Sequence, residues 1–210
     1  MILVKPSFEI MHITERPLHH IEAAGRTCYK SEDKITITSA GNFVEMLLKR
    51  GHESVLEHAS ASVRIICDRG VSHEIVRHRL ASYSQESTRY CDYAGGQVTF
   101  VIPPWVDAEP GLYYGSPLAR GEGIRPDEWL HAMRDAEESY RALRRTGWKP
   151  EQARAVLPNS LKTEIVMTAN FREWRHFFNL RDAPAAHPQM REIAAPLHQE
   201  FRSLVPIIFD

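Results

Sequence analysis

The sequence has few of the features that mark secreted or membrane proteins. Its three cysteines, Cys28, Cys67 and Cys91, are far apart and form no C-x-x-C pair, so a disulfide framework is not expected. No apolar run approaches the roughly 18–20 residues of a membrane span. The opening segment MILVKPSFEIMH is too short and too soon charged for a signal peptide. We therefore expect a cytoplasmic protein with no membrane partner.

Three common catalytic and phosphate-binding motifs are also absent. The chain contains no G-x-S-x-G elbow, no G-x-x-x-x-G-K-[ST] loop and no G-x-G-x-x-G segment after a strand. The formal net charge is −1, which argues against a general binder of polyanions. Any site for an anion must therefore arise from local clustering of basic residues.

Composition and hydrophobic periodicity predict the fold class. A chain of 210 residues with 43% hydrophobic and 25% charged residues is typical of a soluble globular protein with a sizeable core. We expect one domain over residues 1–210, of the α+β class, with a mostly antiparallel sheet and helices segregated to one side. The Gly- and Pro-rich residues 103–126 predict a long surface loop or insertion. Strands are predicted at 2–11 (an edge strand containing Pro6), 61–68 and 95–104, and helices at 18–29, 38–52, 70–79, 126–147, 149–157, 160–181 and 191–208.

The stretch RHRLASYSQESTRY, residues 77–90, is the most unusual part of the sequence. It contains three arginines, a histidine, four serines or threonines and two tyrosines, and only Leu80 and Ala81 are apolar. Arginine forks bind phosphate or carboxylate at two points, and hydroxyl and loop N–H groups complete such a cradle. A solvated surface loop is the alternative interpretation. Predicted strands on both sides place the stretch near the core, so it favours an anion site formed by the end of a helix, capped by Ser72, and the following loop.

A second basic cluster lies at residues 141–181, which contain nine Lys or Arg residues and three Glu residues, a surplus of six basic residues. If 160–181 is one helix capped by Ser160, Arg172 and His176 share a face, whereas Asn170 lies about 200° from Arg172. An exposed basic helix face is the alternative. Two separate basic clusters indicate a ligand with more than one phosphate, or two anionic ligands.

Two further motifs carry weaker signals. The segment GHESVLEHAS places His52 and His58 six residues apart, which does not match H-E-x-x-H, so no metal site is expected. Ser87 could be proposed as a nucleophile, but a serine hydroxyl needs a positioned base and the sequence assigns none.

Several segments together resemble one enzyme family. Residues 77–90 resemble the signature of flavin-dependent thymidylate synthases, in which Arg-His-Arg is followed after seven residues by Ser and then by Arg-Tyr. GHESVLEH is similar to the family's His-Glu-[Ser/Thr]-x-x-Glu-His segment. AAGRTCYKS, ARAVLP, TANFR and FFNLR resemble further family segments in the right order. The similarity runs from about residue 20 to residue 195, nearly the whole chain.

The resemblance implies an α+β homotetramer with active sites between subunits, in the thymidylate synthase-complementing protein fold. It implies conversion of dUMP to dTMP, with methylenetetrahydrofolate supplying the carbon and FAD, reduced by NADPH, supplying the hydride. Arg181 resembles the residue that polarises the uracil ring. The FAD-binding residues implied are Ser54, Arg77, His78, Arg79, Gln85, Asn170, Arg172 and His176. The dUMP-binding residues implied are Glu74, Arg77, Glu86, Ser87, Thr88, Arg89, Arg154 and Arg181.

Some positions depart from the family's commoner pattern. Asn is frequent where Ser84 stands, and Glu is common where Gln85 stands, so a role based on charge does not apply at Gln85. His187 and Pro188 also differ from the family's usual run, and the 103–126 loop is expected to be particular to this chain. His52 and Tyr90 are candidates for lining the folate and flavin pocket.

Two other functions remain as alternatives to the enzyme. One is a nucleic-acid-binding module that uses its Arg/Tyr loop, against which the near-neutral charge and the absence of a binding motif argue. The other is a catalytically inactive homologue that binds nucleotide only, against which the full set of expected arginines argues. We therefore expect small-molecule ligands and no nucleic acid.

Overall fold

The computed structural model describes residues 1–113 and 126–210, with the side chains of residues 126 and 127 left aside. The chain divides into two compact units. Unit 1 contains Met1–Ser7, Ile65–Ile75 and Ser84–Ile165, and unit 2 contains Phe8–Arg64, Val76–Tyr83 and Val166–Asp210. The single domain expected over residues 1–210 stays a prediction. No helix of the described residues is both long and apolar enough to cross a membrane.

The strands form two sheets. A three-stranded sheet has the order β5-β1-β6 and a four-stranded sheet the order β2-β3-β7-β4. In the first, β1 is parallel to β5 and antiparallel to β6. The strands are β1 (Ile2–Val4), β2 (Ser7–Ile13), β3 (Ser60–Asp68), β4 (Ala81–Gln85), β5 (Thr99–Val101), β6 (Gly111–Leu112) and β7 (Lys162–Asn170).

Eight α-helices lie in the described residues, and with the sheets they confirm the α+β class. They are α1 (Pro17–Tyr29), α2 (Ser39–Lys49), α3 (Arg69–Ile75), α4 (Pro126–Arg145), α5 (Pro150–Ala153), α6 (Phe171–Arg181), α7 (Pro188–Leu204) and α8 (Pro206–Phe209). Short 3₁₀ turns occupy Glu32–Lys34, Glu53–His58, Tyr93–Gly95 and Arg154–Val156. The predicted helices at 18–29, 38–52 and 126–147 are confirmed. Gly25 suits the middle of α1, because an added Cβ would lie 2.7 Å from Phe43 of α2.

The two units have different cores. The core of unit 1 is largely aliphatic, with Leu3 of β1 opposite Phe100 of β5. The core of unit 2 contains a cluster of aromatic rings on α6, α7 and α8. There Trp174 packs against Phe178 and Phe201, with ring centroids 5.7 and 5.1 Å away, and its Nε1 donates to the Ala61 carbonyl at 3.1 Å. This packing fixes α6, which carries several of the expected site residues.

The predicted edge strand at 2–11 was wrong in extent. Two strands occupy it, β1 and β2, and the chain leaves strand geometry at Lys5 and Pro6 between them. Proline has no N–H to donate to a sheet, so the strand breaks where Pro6 stands. As a result β1 lies at the centre of one sheet and β2 at the edge of the other.

The single helix predicted at 160–181 was also wrong. Residues 162–170 form β7, whose side chains alternate between buried and half-buried, and only Phe171–Arg181 is helical. Alternation with β-branched residues such as Thr163 and Ile165 is a strand signal, which the helical spacing of the later aromatics obscured. The cap is not Ser160 but Asn170, whose Oδ1 accepts from the Glu173 N–H at 2.9 Å.

Around the 77–90 stretch two further corrections apply. The predicted helix 70–79 is α3, which ends at Ile75, so residues 77–79 follow the helix and are not part of it. Its first turn is capped by Asp68, whose Oδ1 accepts from the Val71 N–H at 2.7 Å, while Ser72 Oγ donates to the Arg69 carbonyl. The loop expected after residue 79 contains strand β4.

Three smaller differences concern the ends of elements. Helix 149–157 is α5 followed by a 3₁₀ turn. The single helix predicted at 191–208 is two helices: α7, which begins at Pro188 and continues through Pro196, and α8. Of the predicted 103–126 loop, residues 103–113 include β6, and residues 114–125 lie outside the described residues.

Candidate functional site

Unit 2 contains a pocket of about 470 Å³, which we call the mixed-charge pocket. Asn170 caps α6, and Arg172 and His176 follow on the same helix. All three line the pocket, although a continuous helix would have separated Asn170 from Arg172. The lining residues are Glu53, Glu57, Leu80, Asn170, Arg172, Glu173, Arg175, His176 and Asn179.

The arginines of the mixed-charge pocket are already paired with glutamates. Arg172 contacts Glu57 at 2.7 Å and Glu53 at 3.8 Å, and Arg175 contacts Glu53 at 2.6 Å. These ion pairs raise the pKa of Arg172, chiefly through the hydrogen bond to Glu57. The pocket therefore presents charges of both signs to a ligand.

His78, from the 77–90 stretch, is buried in unit 2. Its Nδ1 lies 2.9 Å from Glu173 Oε1, and its Nε2 accepts from Arg181 Nε at 3.1 Å. The Tyr83 hydroxyl donates to the backbone carbonyl of His78 at 2.5 Å. Burial lowers the pKa of His78, more than the hydrogen bond to Glu173 raises it. Two expected site residues, His78 and Arg181, are thus in direct contact.

Among the described residues, His78, Glu173 and His176 form one group whose ligand atoms are close enough to hold a metal ion. Two of the three, however, are joined by the 2.9 Å hydrogen bond. The other ring nitrogen of His78, Nε2, accepts a hydrogen bond from the Arg181 guanidinium, which is a fixed cation. The expectation of no metal site stays a prediction.

Unit 1 contains a second pocket of about 310 Å³, which we call the arginine pocket. Arg154 Nη1 donates to Thr88 Oγ1 at 2.9 Å, and this bond joins the 77–90 stretch to the ARAVLP segment. None of the described residues that line it carries a carboxylate, and no described acidic residue pairs with Arg69 or Arg154. The lining residues are Arg69, His73, Thr88, Arg154, Ala155, Leu157, Pro158, Asn159 and Leu161.

Gln85 and Glu86, beside Thr88 in sequence, are held by unit 1. Gln85 Nε2 donates to Ser72 Oγ at 2.9 Å and to Thr163 Oγ1 at 3.1 Å. Glu86 contacts Lys162 at 3.1 Å and accepts from the Tyr93 hydroxyl at 2.8 Å. Burial, followed by this bond, raises the pKa of Tyr93.

The chain matches a known family over almost its whole length. The sequence model of the thymidylate synthase complementing protein family matches residues 9–207. The chain belongs to this family. Proteins named flavin-dependent thymidylate synthase are 34% identical in Geobacter sulfurreducens, over 95% of this chain and 84% of the relative, and 39% identical in Mycolicibacterium vanbaalenii, over 90% and 77%. The chain is therefore an enzyme of the flavin-dependent thymidylate synthase family.

A solved structure supports the same fold. The UMP/dUMP methylase PolB from Streptomyces cacaoi, solved with 5-Br dUMP bound, superposes with a TM-score of 0.76 and covers 100% of this chain and 95% of that chain. The two sequences are 24% identical. At this level of identity the similarity establishes the fold of the flavin-dependent thymidylate synthases and does not transfer individual residue roles.

Several residues expected from the family pattern lie outside both pockets and stay predictions. Ser54 lies in the 3₁₀ turn between Glu53 and Glu57, and its side chain is exposed. Ser87 Oγ accepts from the Arg89 N–H at 3.3 Å. Glu74, which is half-buried, also lies outside the pockets, as do the exposed residues Arg77, Arg79, Arg89, Tyr90 and His52. His78, Gln85, Glu86 and Arg181, whose contacts are described above, line neither pocket.

The pockets also contain residues that the sequence reasoning missed. Glu173 and Arg175 line the mixed-charge pocket, and Arg69, His73 and Asn159 line the arginine pocket. Glu53 and Glu57 belong to the His-Glu segment, which was interpreted as a poor metal motif and as a family segment without a role for either glutamate. The available signal was the surplus of basic residues, but that surplus does not identify which carboxylates pair with which arginines.

Proposed function

We propose that the protein converts dUMP to dTMP with methylenetetrahydrofolate as carbon donor and FAD, reduced by NADPH, as hydride donor. The family membership over residues 9–207 supports the reaction class. Retention of the expected arginines at 77, 79, 89, 154, 172 and 181 supports catalysis over a merely nucleotide-binding role.

The observation that carries this proposal is the arginine pocket. Thr88 and Arg154 come from segments 66 residues apart and meet through a 2.9 Å hydrogen bond. A cationic guanidinium beside a hydroxyl, with no carboxylate among the described lining residues, is suited to the phosphate of dUMP. Glu86, Ser87 and Arg89 flank Thr88 in the chain and extend the proposed dUMP site, with Glu74 and Arg77.

The mixed-charge pocket is the proposed site for part of FAD. Its volume of about 470 Å³ lies in the usual range for small-molecule sites. Asn170, Arg172 and His176 together offer amide, guanidinium and imidazole groups, which fit a polar cofactor, and Leu80 adds apolar surface. When bound, the flavin supplies the hydride. The further proposed contacts are Ser54, Arg77, His78, Arg79 and Gln85, contributed by more than one subunit of a homotetramer.

Arg181 is the proposed catalytic residue. A guanidinium keeps its proton at any physiological pH, so it can stabilise negative charge that develops on the uracil ring at N3. Its Nε donates to His78 Nε2 at 3.1 Å, and this contact helps to fix the orientation of the guanidinium. With a reduced flavin as hydride source, the enzyme itself need not attack the ring, and Ser87 is a binding residue.

The exposed arginines of the 77–90 stretch support sites shared between subunits. Arg77 and Arg79 are exposed and pair with no acidic residue in the described parts of the chain. We place the enzyme in the cytoplasm, with small molecules and not nucleic acid as its ligands.

The visible spectrum of the purified protein tests the proposal. We expect a yellow protein whose flavin absorbance bleaches on addition of NADPH and is perturbed by dUMP. A colourless protein that fails to take up FAD would contradict it.

A further inference from the structure

We propose that Glu173 is a positioning residue that acts through His78 to hold the Arg181 guanidinium in its working orientation. The proposal rests on the proposed function in one respect, since it takes Arg181 as the residue that polarises the uracil ring. Glu173 lies between the TANFR and FFNLR segments and belongs to neither. Its contact with His78 spans 95 residues of sequence.

The hydrogen bonds assign one tautomer to His78. A guanidinium N–H can only donate, so the contact of Arg181 Nε with His78 Nε2 at 3.1 Å requires an unprotonated Nε2. The proton of a neutral imidazole then lies on Nδ1, which faces Glu173 Oε1 at 2.9 Å. An ionised carboxylate only accepts, which agrees with that assignment. The chain of donors therefore runs from Arg181 to His78 to Glu173.

Burial and packing hold the imidazole in place. The His78 side chain is 2% exposed and that of Glu173 is 6% exposed. The His78 ring packs against Phe177 and His176, with centroids 4.9 and 5.5 Å away. Burial also favours the neutral imidazole that this tautomer requires. Because both side chains are buried, the charge-assisted hydrogen bond from Nδ1 to Glu173 is stronger than it would be in water.

The contacts of His78 connect the two ends of α6. Arg181 is the last residue of the helix, and Glu173 lies eight residues earlier, about 12 Å along the axis. Neither side chain reaches the other across two turns. His78 bridges them, so the start of α6, which is capped by Asn170, positions a side chain at its end.

Kinetics of substituted enzymes form one arm of the test. We expect Glu173→Ala to lower kcat per bound flavin about 10- to 100-fold, the range for residues that orient the groups of a site, while KM for dUMP stays within about 2-fold. Glu173→Gln keeps an oxygen that can accept from Nδ1–H and should restore most of kcat. Glu45→Ala, which removes an exposed partner of Lys49 in unit 2, is the matched control and should match the wild type.

Nitrogen-15 spectroscopy of histidine-labelled wild-type enzyme with its flavin forms the second arm. The His78 signals, identified by their loss in His78→Asn, should show a protonated Nδ1 and a bare Nε2. A protonated Nε2, an imidazolium, or signals that shift on zinc addition with recovery on chelation would overturn the proposal, the last in favour of a metal site. This arm uses unsubstituted protein, so it decides the question even if Glu173→Ala does not fold.

Comparing the turnover of Arg181→Ala with that of Glu173→Ala separates failure of this inference from failure of the proposed function. If Arg181→Ala retains turnover, the role of Arg181 is wrong whatever the tautomer. If Arg181→Ala is inactive but Glu173→Ala keeps wild-type kcat, the positioning role alone is wrong.

Discussion

The two pockets contain similar basic residues but differ in how their charges are balanced. In the mixed-charge pocket Arg172 and Arg175 are already held by Glu53 and Glu57. In the arginine pocket Arg154 bonds a hydroxyl instead of a carboxylate. An anion can therefore enter the arginine pocket without displacing an ion pair. In the mixed-charge pocket an anionic group must compete with glutamates, which suits a large cofactor that is also recognised by amide and imidazole groups.

The largest expected effect separates chemistry from binding. Arg181 lines neither pocket and contacts His78. Arg181→Ala should lower kcat by at least about 100-fold, because a preorganised donor aimed at developing charge is lost. Flavin content should be unchanged, as measured by absorbance after gel filtration. Near-wild-type turnover in this variant would remove Arg181 from the mechanism.

The next effect tests the arginine pocket. Arg154→Ala should weaken dUMP binding about 10- to 100-fold, because a charged hydrogen-bond donor is lost, and should leave binding of deoxyuridine, which has no phosphate, unaltered. Calorimetric titration measures both. Arg145→Ala, an exposed arginine at the end of α4, is the control. Equal losses for both ligands would show that the pocket does not bind the phosphate.

A smaller effect is expected in the mixed-charge pocket. Arg172→Ala should reduce flavin affinity by up to about 10-fold. Removing an unpaired arginine would reduce it more, because the Arg172 side chain is already hydrogen-bonded to Glu57. Since the pair is exposed, the unfolding temperature should barely change. Flavin retention during dialysis measures the first and thermal unfolding the second. A loss of dUMP affinity with unaltered flavin retention would reverse the assignment of the pockets.

The smallest effect concerns an arginine of unit 1 that is paired for structural reasons. Arg144 contacts Asp92 at 2.6 Å, and this bond lowers the pKa of Asp92 to about 2. A carboxyl whose pKa is lower in the folded state stabilises the fold above its unfolded pKa, near 4, and loses that contribution as pH falls towards 2. Asp92→Asn should lower the unfolding temperature by roughly a few degrees at pH 7 and by clearly less at pH 2. A difference that is as large at pH 2 as at pH 7 would contradict this assignment.

Local sequence signals predicted most of the helices and the presence of two basic clusters. They failed where two signals competed. The aromatic spacing of α6 extended a helix over β7, and that error separated Asn170 from Arg172, which lie in one pocket. Pro6 was expected to be tolerated within one edge strand, whereas it lies at the break between β1 and β2.

Pairings between distant residues could not be predicted from one sequence. Glu57 and Arg172 are 115 residues apart, and Glu173 and His78 are 95 residues apart. A count of charges indicates that an anion site exists. Whether an arginine can bind an anionic ligand depends on whether the fold places a carboxylate beside it. The two pockets differ mainly in this pairing of their arginines.

The release of tritium from dUMP labelled at C5 tests the central claim most directly, because forming dTMP replaces that hydrogen with carbon. With NADPH, methylenetetrahydrofolate and flavin present, we predict tritium release in proportion to dTMP formed, and none when NADPH or the folate is omitted. A flavin-loaded protein that binds dUMP but releases no tritium would contradict the account and identify the chain as an inactive member of its family.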